Sequence, residues 1–227
     1  MMEQSRYRAS RLSLVRGGWL FLLPPLVVGL LGLAWGWKLL GWGALGVATF
    51  VGFFFRDPDR AVPQAVRCVV SPADGRVVAI RTGEGSPEPG GEVQTVSIFL
   101  SLWDVHVNRS PCEGTVQGME YTPGRFLPAY RGEASRTNER NTILVDSGGT
   151  PIVVSQIAGV VARRIVCWVQ PGETLERGQR IGMIRFGSRV EVTLPAAATL
   201  LVDTGAKVKG GTTVLARLAP EEASRAP

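Results

Sequence analysis

A chain of 227 residues with a formal charge of +6, 45% hydrophobic residues and three cysteines has room for one globular domain of moderate size and an appendage. Cys68, Cys112 and Cys167 are widely spaced, contain no C-x-x-C pair and leave an odd thiol. That pattern argues against a disulfide framework and a zinc site, and predicts reduced, packed thiols in a cytosolic domain. The excess of basic charge suits an anionic lipid surface, and with no recognisable nucleic-acid module nucleic acid is excluded as a partner.

The first quarter of the chain differs from the rest. Gly17 to Trp37 holds no charged residue, Lys38 interrupts, and Leu39 to Phe55 is again uncharged. A bilayer core takes about 20 apolar residues per helix, so residues 1–60 are predicted to be a basic tail and a two-helix membrane anchor turning near Lys38. Arg6, Arg8, Arg11 and Arg16 precede the first run, and Arg56 and Arg60 follow the second. The positive-inside rule puts both flanks, and the domain that follows, on the cytoplasmic side of the cell membrane. A secretory signal peptide is the rival reading, but no small-residue cleavage site separates the two runs. Pro24-Pro25 either kinks the first helix or makes the pair re-entrant.

From residue 61 to 227 short β-rich runs alternate with Gly, Pro and Asp. Strands are expected at Cys68–Val70, Gly75–Ile80, Thr95–Leu100, Gly114–Tyr121, Thr142–Val145, Ile152–Gly159, Val160–Val169, Arg180–Ile184, Arg189–Leu194, Leu200–Val202 and Thr213–Leu218. Gly85–Gly91 reads as an exposed connector and Ala219–Pro227 as a frayed tail. No long amphipathic helix competes, so the fold class is all-β. Gly172-x-x-Leu175-x-x-Gly178-x-x-Ile181 recurs as Gly205-x-x-Val208-x-x-Gly211-x-x-Val214, each after an apolar strand. This resembles the turn-and-strand pattern of lipoyl and biotinyl carrier domains, which implies a barrel-sandwich hybrid. A carrier would also need a modifiable lysine, and neither Lys207 nor Lys209 has a Met-Lys-Met context. The repeat is therefore read as architecture alone.

Chemistry centres on Gly187-Ser188, inside a run that otherwise reads as a strand. Such a pair is either a bulge or a self-cleavage site. In the second case the Ser188 hydroxyl attacks the carbonyl of Gly187, which has no Cβ to block the approach. Elimination and loss of ammonia then leave a pyruvoyl group, an electron sink built from the chain itself. Proton transfer would fall to His106, the one histidine. Asp104, His106 and Asn108 alternate, so in a strand they share one face, too polar for an ordinary core. Asp74, in Ser71-Pro-Ala-Asp-Gly75, either begins a hairpin or orients a base acting on Ser188. No metal is required.

These residues belong to an ordered series of blocks: Phe54-Phe-Arg-Asp-Pro58, Ser71-Pro-Ala-Asp-Gly75, Asp104-Val-His-Val-Asn-Arg109, Asn138-Glu-Arg-Asn141, Ile157-Ala-Gly159 with Ala162-Arg-Arg-Ile165, and Phe186-Gly-Ser-Arg189. Over nearly its whole length the chain resembles the phosphatidylserine decarboxylase proenzymes, in their short, membrane-anchored prokaryotic form. The resemblance implies a self-processing, pyruvoyl-dependent decarboxylase that converts phosphatidylserine to phosphatidylethanolamine and carbon dioxide. Ser188 would be nucleophile and pyruvoyl precursor, Gly187 the new C-terminus, Asp74 part of the cleavage machinery and His106 the proton carrier. Cleavage would give a large chain, 1–187, and a small one, 188–227, held as a heterodimer within a higher oligomer or alone. Longer members carry a second histidine where Arg109 stands, and Leu-Gly-Ser-Thr where this chain has Phe-Gly-Ser-Arg; arginine is a poor general base. Either His106 serves both steps or Asp74 acts on Ser188 directly or through water. Arg140, Asn138, Arg109 and Arg189 are candidates for binding the lipid phosphate, with Arg125 a further cation in reach. An ether-linked archaetidylserine substrate, a soluble amino-acid substrate and a non-catalytic membrane-tethered adaptor are the alternatives.

Overall fold

The structure, a computed structural model, describes residues 14–84, 91–127, 137–159, 165–185 and 188–219. The chain divides into two units, Met1–Asp59 and Arg60–Pro227. Most of the exposed connector and tail, and part of the strand expected at Val160–Val169, fall outside the described residues.

In the first unit a 3-10 turn at Arg16–Gly18 leads into α1 (Trp19–Ala34), and α2 (Lys38–Phe54) returns alongside it. The helices meet through small residues: a Cβ on Gly32 would lie 3.2 Å from the Gly41 backbone. Leu20, Leu23, Leu30, Leu39 and Trp42 point outward. The expected two-helix hairpin forms, but with helices shorter than a full membrane span. No helix among the described residues is long and apolar enough to cross a membrane. The first apolar run spends its start on the 3-10 turn and its end on the bend at 35–37, leaving 16 residues of α1, and α2 has 17. At about 1.5 Å per residue each falls short of the roughly 30 Å hydrocarbon core.

The second unit is all-β. Its strands are β1 (Cys68–Val70), β2 (Gly75–Glu84), β3 (Glu92–Leu100), β4 (Val107–Arg109), β5 (Gly114–Thr122), β6 (Arg140–Asp146), β7 (Pro151–Ile157), β8 (Ile165–Cys167), β9 (Thr174–Leu175), β10 (Arg180–Ile184), β11 (Ser188–Pro195), β12 (Thr199–Leu200), β13 (Lys207–Val208) and β14 (Val214–Arg217). They form an eight-stranded sheet, β13-β2-β3-β11-β7-β6-β5-β9, and two three-stranded sheets, β4-β10-β8 and β1-β14-β12. Alternation sets the core: Ile143 and Val145 on β6, Ile152 and Val154 on β7, and Val190 and Val192 on β11 are fully buried with Val96 and Ile98 of β3. Each such side chain contributes about 1.5–3 kcal/mol.

The glycine repeat belongs to a larger internal duplication. Ser71-Pro-Ala-Asp-Gly75 between β1 and β2 recurs as Ser110-Pro-Cys-Glu-Gly114 between β4 and β5. Ser71 Oγ donates to the Ala73 carbonyl and Ser110 Oγ to that of Cys112, each at 2.7 Å. Gly211 N–H reaches Ser71 O as Gly178 N–H reaches Ser110 O, and Leu218 N–H reaches Arg67 O as Ile184 N–H reaches His106 O. The copies brace each other through Val70 N–H to Pro111 O and Arg109 N–H to Pro72 O. The glycines of the repeat, at φ +72° to +93°, turn the chain into β9 and β13, which close the two edges of the large sheet.

Candidate active site

One rim of the large sheet carries Ser188, Arg189 and Arg140, with Asp74 and Asn138 just ahead of the strands that begin there. There β2, β6 and β11 begin and β3, β5 and β7 end. Ser188 opens β11, opposite Leu100 of β3, and shares the core-facing side with Val190, Val192 and Leu194. It is fully buried, and its Oγ has no hydrogen-bond partner among the described residues. A buried hydroxyl without a partner is costly unless it has work to do. Gly187 lies outside the described residues.

His106 is also fully buried, just before β4. Its Nδ1 is 2.9 Å from the Asp104 carbonyl, and since a carbonyl only accepts, Nδ1 is the donor there, which leaves Nε2 on the other side of the ring. The expected strand face of Asp104, His106 and Asn108 does not form. The strand starts at Val107, and the Asp104 carboxylate turns back to accept from Ser101 N–H at 2.9 Å and Ser101 Oγ at 2.6 Å. Local capping of a turn by Asp wins over alternation.

Asn108 faces a group that sequence reasoning missed. Its Oδ1 accepts from Gln156 Nε2 at 2.8 Å, and Gln156 Oε1 accepts from Asn141 Nδ2 at 3.0 Å. All three amides are buried. Gln156 pairs with Val190 in register, one core-facing step along β11 from Ser188. The signal was readable, because Gln156 continues the core-facing series Ile152, Val154 on β7. Gly182 on β10 makes the approach feasible, since a Cβ there would press on Gln156 Nε2 and on the Val166 carbonyl.

Asp74 stands on the same rim, but β3 lies between its strand and β11, so about 10 Å of sheet separates it from Ser188. Its Oδ2 pairs with Arg60 Nη2 at 2.8 Å and its Oδ1 accepts from Gly210 N–H at 2.7 Å. Gly75, at φ +151°, follows it where any Cβ would strike the Phe99 carbonyl.

The phosphate candidates are placed otherwise than a single anion seat would need. Asn138 spends its amide on backbone, accepting from Leu127 N–H at 2.9 Å and donating to the Leu127 and Ala158 carbonyls at 2.8 Å each. Arg109 is buried against the duplicated glycine turns, donating to Gly178 O at 3.1 Å. The pleat turns Arg189 to the sheet face opposite Ser188, where it lies 3.6 Å from Glu191. Burial pushes its guanidinium pKa down, with Glu191 countering in part. Arg140, half-buried at the start of β6, shares that outer row through Ile157. Among the described residues no three His, Cys, Asp or Glu side chains gather as metal ligands would.

Known proteins resemble this chain over most of its length. A family model described as phosphatidylserine decarboxylase matches residues 47–216. The phosphatidylserine decarboxylase proenzyme of Symbiobacterium thermophilum is 48% identical over 206 residues, covering 90% of this chain and 95% of the relative. The proenzyme of the same name from Burkholderia mallei is 47% identical over 210 residues, with 92% and 96% covered, and that of Burkholderia lata is 43% identical over 206, with 90% and 96% covered.

Proposed function

The chain belongs to the phosphatidylserine decarboxylase family, and on that premise we propose that it matures by cutting itself between Gly187 and Ser188 to carry a pyruvoyl group. It is a decarboxylase acting on phosphatidylserine. The observation that carries the maturation step is Ser188, fully buried, with an Oγ that has no hydrogen-bond partner among the described residues. Oγ adds to the preceding carbonyl carbon, the C–N bond breaks as the nitrogen takes a proton, and an ester forms. Loss of the Ser188 α-proton expels the carboxylate of the first chain, and water then displaces ammonia from the new N-terminus. The pyruvoyl group so formed supplies an electron sink for the pair left behind as carbon dioxide departs.

The chain's own residues divide the remaining work. His106, with its Nδ1–H committed to a carbonyl, offers Nε2 for the proton that Ser188 gives up and for the one the product takes. Asp74 acts from a distance, through water or by holding the Gly210 turn. Arg140 receives the lipid phosphate, with Asn138 and Arg189 shaping the rim beside it, while Arg109 braces the glycine turns. After the cut β11 remains paired with β3 on one side and β7 on the other, which favours the two chains staying together as a heterodimer.

The catalytic unit also has a polarity that favours a membrane location. On the Ser188 rim Leu102, Trp103 and Phe126 are exposed beside Arg76, Lys207 and Lys209. Arg76 and Lys207 sit directly across from each other. Like charges in that position repel, and an anionic lipid surface relieves them, although Asp203 in the adjoining turn offsets part of the charge. The opposite rim ends in Glu92 and Asp146, with Glu113 beside them paired to Arg177 at 2.6 Å. Helices too short to span, with apolar side chains outward, suit a hairpin that enters one leaflet from the cytoplasmic side.

Intact mass of the purified protein beside Ser188→Ala tests the reading. Wild type should be split between Gly187 and Ser188 with a pyruvoyl-blocked second chain, and the variant whole. Wild type that stays whole after incubation with membranes overturns it.

A further inference from the structure

We propose that Asn108 is the donor that stabilises the oxyanion of self-cleavage, held in place by the amide relay from Asn141 through Gln156. The proposal rests on the maturation reading and adds a group to it. Three observations carry it. The relay fixes which end of Asn108 faces Gln156: Oδ1 is committed to Gln156 Nε2, so Nδ2 is turned elsewhere. That Nδ2 is buried and has no hydrogen-bond partner among the described residues, the same condition as Ser188 Oγ. Through Gln156, Asn108 reaches the β7–β11 pair one core-facing step from Ser188, so its open Nδ2 and the open Ser188 Oγ point to a single event that uses both.

The internal duplication supplies the control. Asn108 pairs with Gly182, and in the other copy Val69 pairs with Ala216, with the same irregularity beside each. Val69 is fully buried in the apolar core. The fold therefore makes this hairpin without an amide at that place. The second copy has exchanged Val for Asn and Ala for Gly, and the glycine is what admits the Gln156 side chain. Buried polar groups that the fold does not need, and that a neighbouring glycine must accommodate, are retained for chemistry.

The Ser188 Oγ–H proton passes to a base as Oγ bonds to the neighbouring carbonyl carbon, and the carbonyl π pair moves onto oxygen. Asn108 Nδ2–H donates to that oxygen while it is charged. The pair then returns, the C–N bond breaks, and the amine leaves with a proton. In a buried site such a donor acts more strongly than in water, and removing one typically slows the step about 100-fold or more.

Two variants of the full-length protein test this, each followed by intact mass over time and by thermal unfolding. Asn108→Val installs the residue of the other copy, and Asn108→Asp keeps the acceptor for Gln156 while removing the N–H. Both should split at least about 100-fold more slowly than wild type, and Asn108→Val, which leaves the buried Gln156 Nε2 without its acceptor, should still unfold cooperatively but at a lower temperature. Neither should build up a hydroxylamine-sensitive ester, because the block precedes ester formation. Splitting at the wild-type rate in a folded Asn108→Val overturns the proposal, as does an ester that accumulates, since the block would then lie at elimination. A wild type that never splits removes the maturation reading and this proposal with it, whereas a split wild type beside a split Asn108→Val removes only the proposal.

Discussion

The two copies of the duplicated hairpin share backbone, turn and bracing, yet only one buries a row of polar side chains on its first strand. In the first copy Arg67, Val69, Val70 and Ala216 occupy the places that His106, Asn108, Arg109 and Gly182 hold in the second. Val69 and Val70 are wholly buried and apolar, as packing alone would choose. The second copy buries an imidazole, an amide and a guanidinium in the equivalent positions, against the cost of desolvating each. The difference separates what the fold needs from what has been added to it. By the same measure the acid after Ser-Pro-x is ambiguous: Asp74 pairs with Arg60 and Glu113 with Arg177, so an acid there has a structural use in both copies.

The largest effect should come from exchanging the pair that precedes each first strand. His106→Ala should slow splitting or turnover by about 100-fold or more, whereas Arg67→Ala should leave both at the wild-type level; intact mass and carbon dioxide release measure them. Equal losses would mean that the position braces the hairpin in both copies. Next, Gly182→Ala should destabilise by about 1–3 kcal/mol through overpacking against Val166 and Gln156, and slow splitting as the relay is displaced. Ala216→Gly should cost only about 0.5–1 kcal/mol, with splitting intact. Denaturant titration beside a maturation time course gives the contrast.

A smaller and more diagnostic effect concerns the two acids. Removing the carboxylate charge should cost Asp74→Asn about 1 kcal/mol and the more exposed Glu113→Gln less. Splitting should slow in Asp74→Asn alone. If both variants mature at the wild-type rate, Asp74 is a turn residue like its counterpart, and Ser188 is activated without it.

Much of this was legible in the sequence where local rules act alone. Alternation gave most of the long strands, and Arg180–Ile184 and Cys68–Val70 form as expected. The glycine spacing announced the repeat. What escaped depends on partners far apart in the chain. The strands β4, β9 and β13 are two or three residues long and exist because a neighbour's edge pairs with them, so no periodicity marks them. Gln156 and Asn108 meet only through sheet packing, although each alone is an unremarkable amide. The helices disagree with expectation for a local reason: lack of charge sets the length of the apolar run, but backbone hydrogen bonding ends each helix sooner. Arg189, a phosphate candidate next to Ser188 in the chain, is turned by the pleat to the opposite face.

The smallest predicted effect isolates packing from chemistry within the same duplicated turn, where Cys112 stands in the place of Ala73. Both are buried. Burial, more than any neighbouring charge, pushes the Cys112 thiol from 9.0 up to about 12. The unfolded chain thus gives up this proton at lower pH than the folded one, so the folded state binds more protons above pH 9. Its contribution to stability is fully present below pH 9 and is lost as pH rises from 9 through about 12. Cys112→Ala, which imposes the first copy's residue, should cost on the order of 1 kcal/mol near neutrality and flatten the alkaline decline, with splitting unchanged. Unfolding curves at pH 7 and pH 10.5 measure it. An identical alkaline decline in the variant would assign that loss to other groups, and a change in splitting would bring Cys112 into the added chemistry of the second copy.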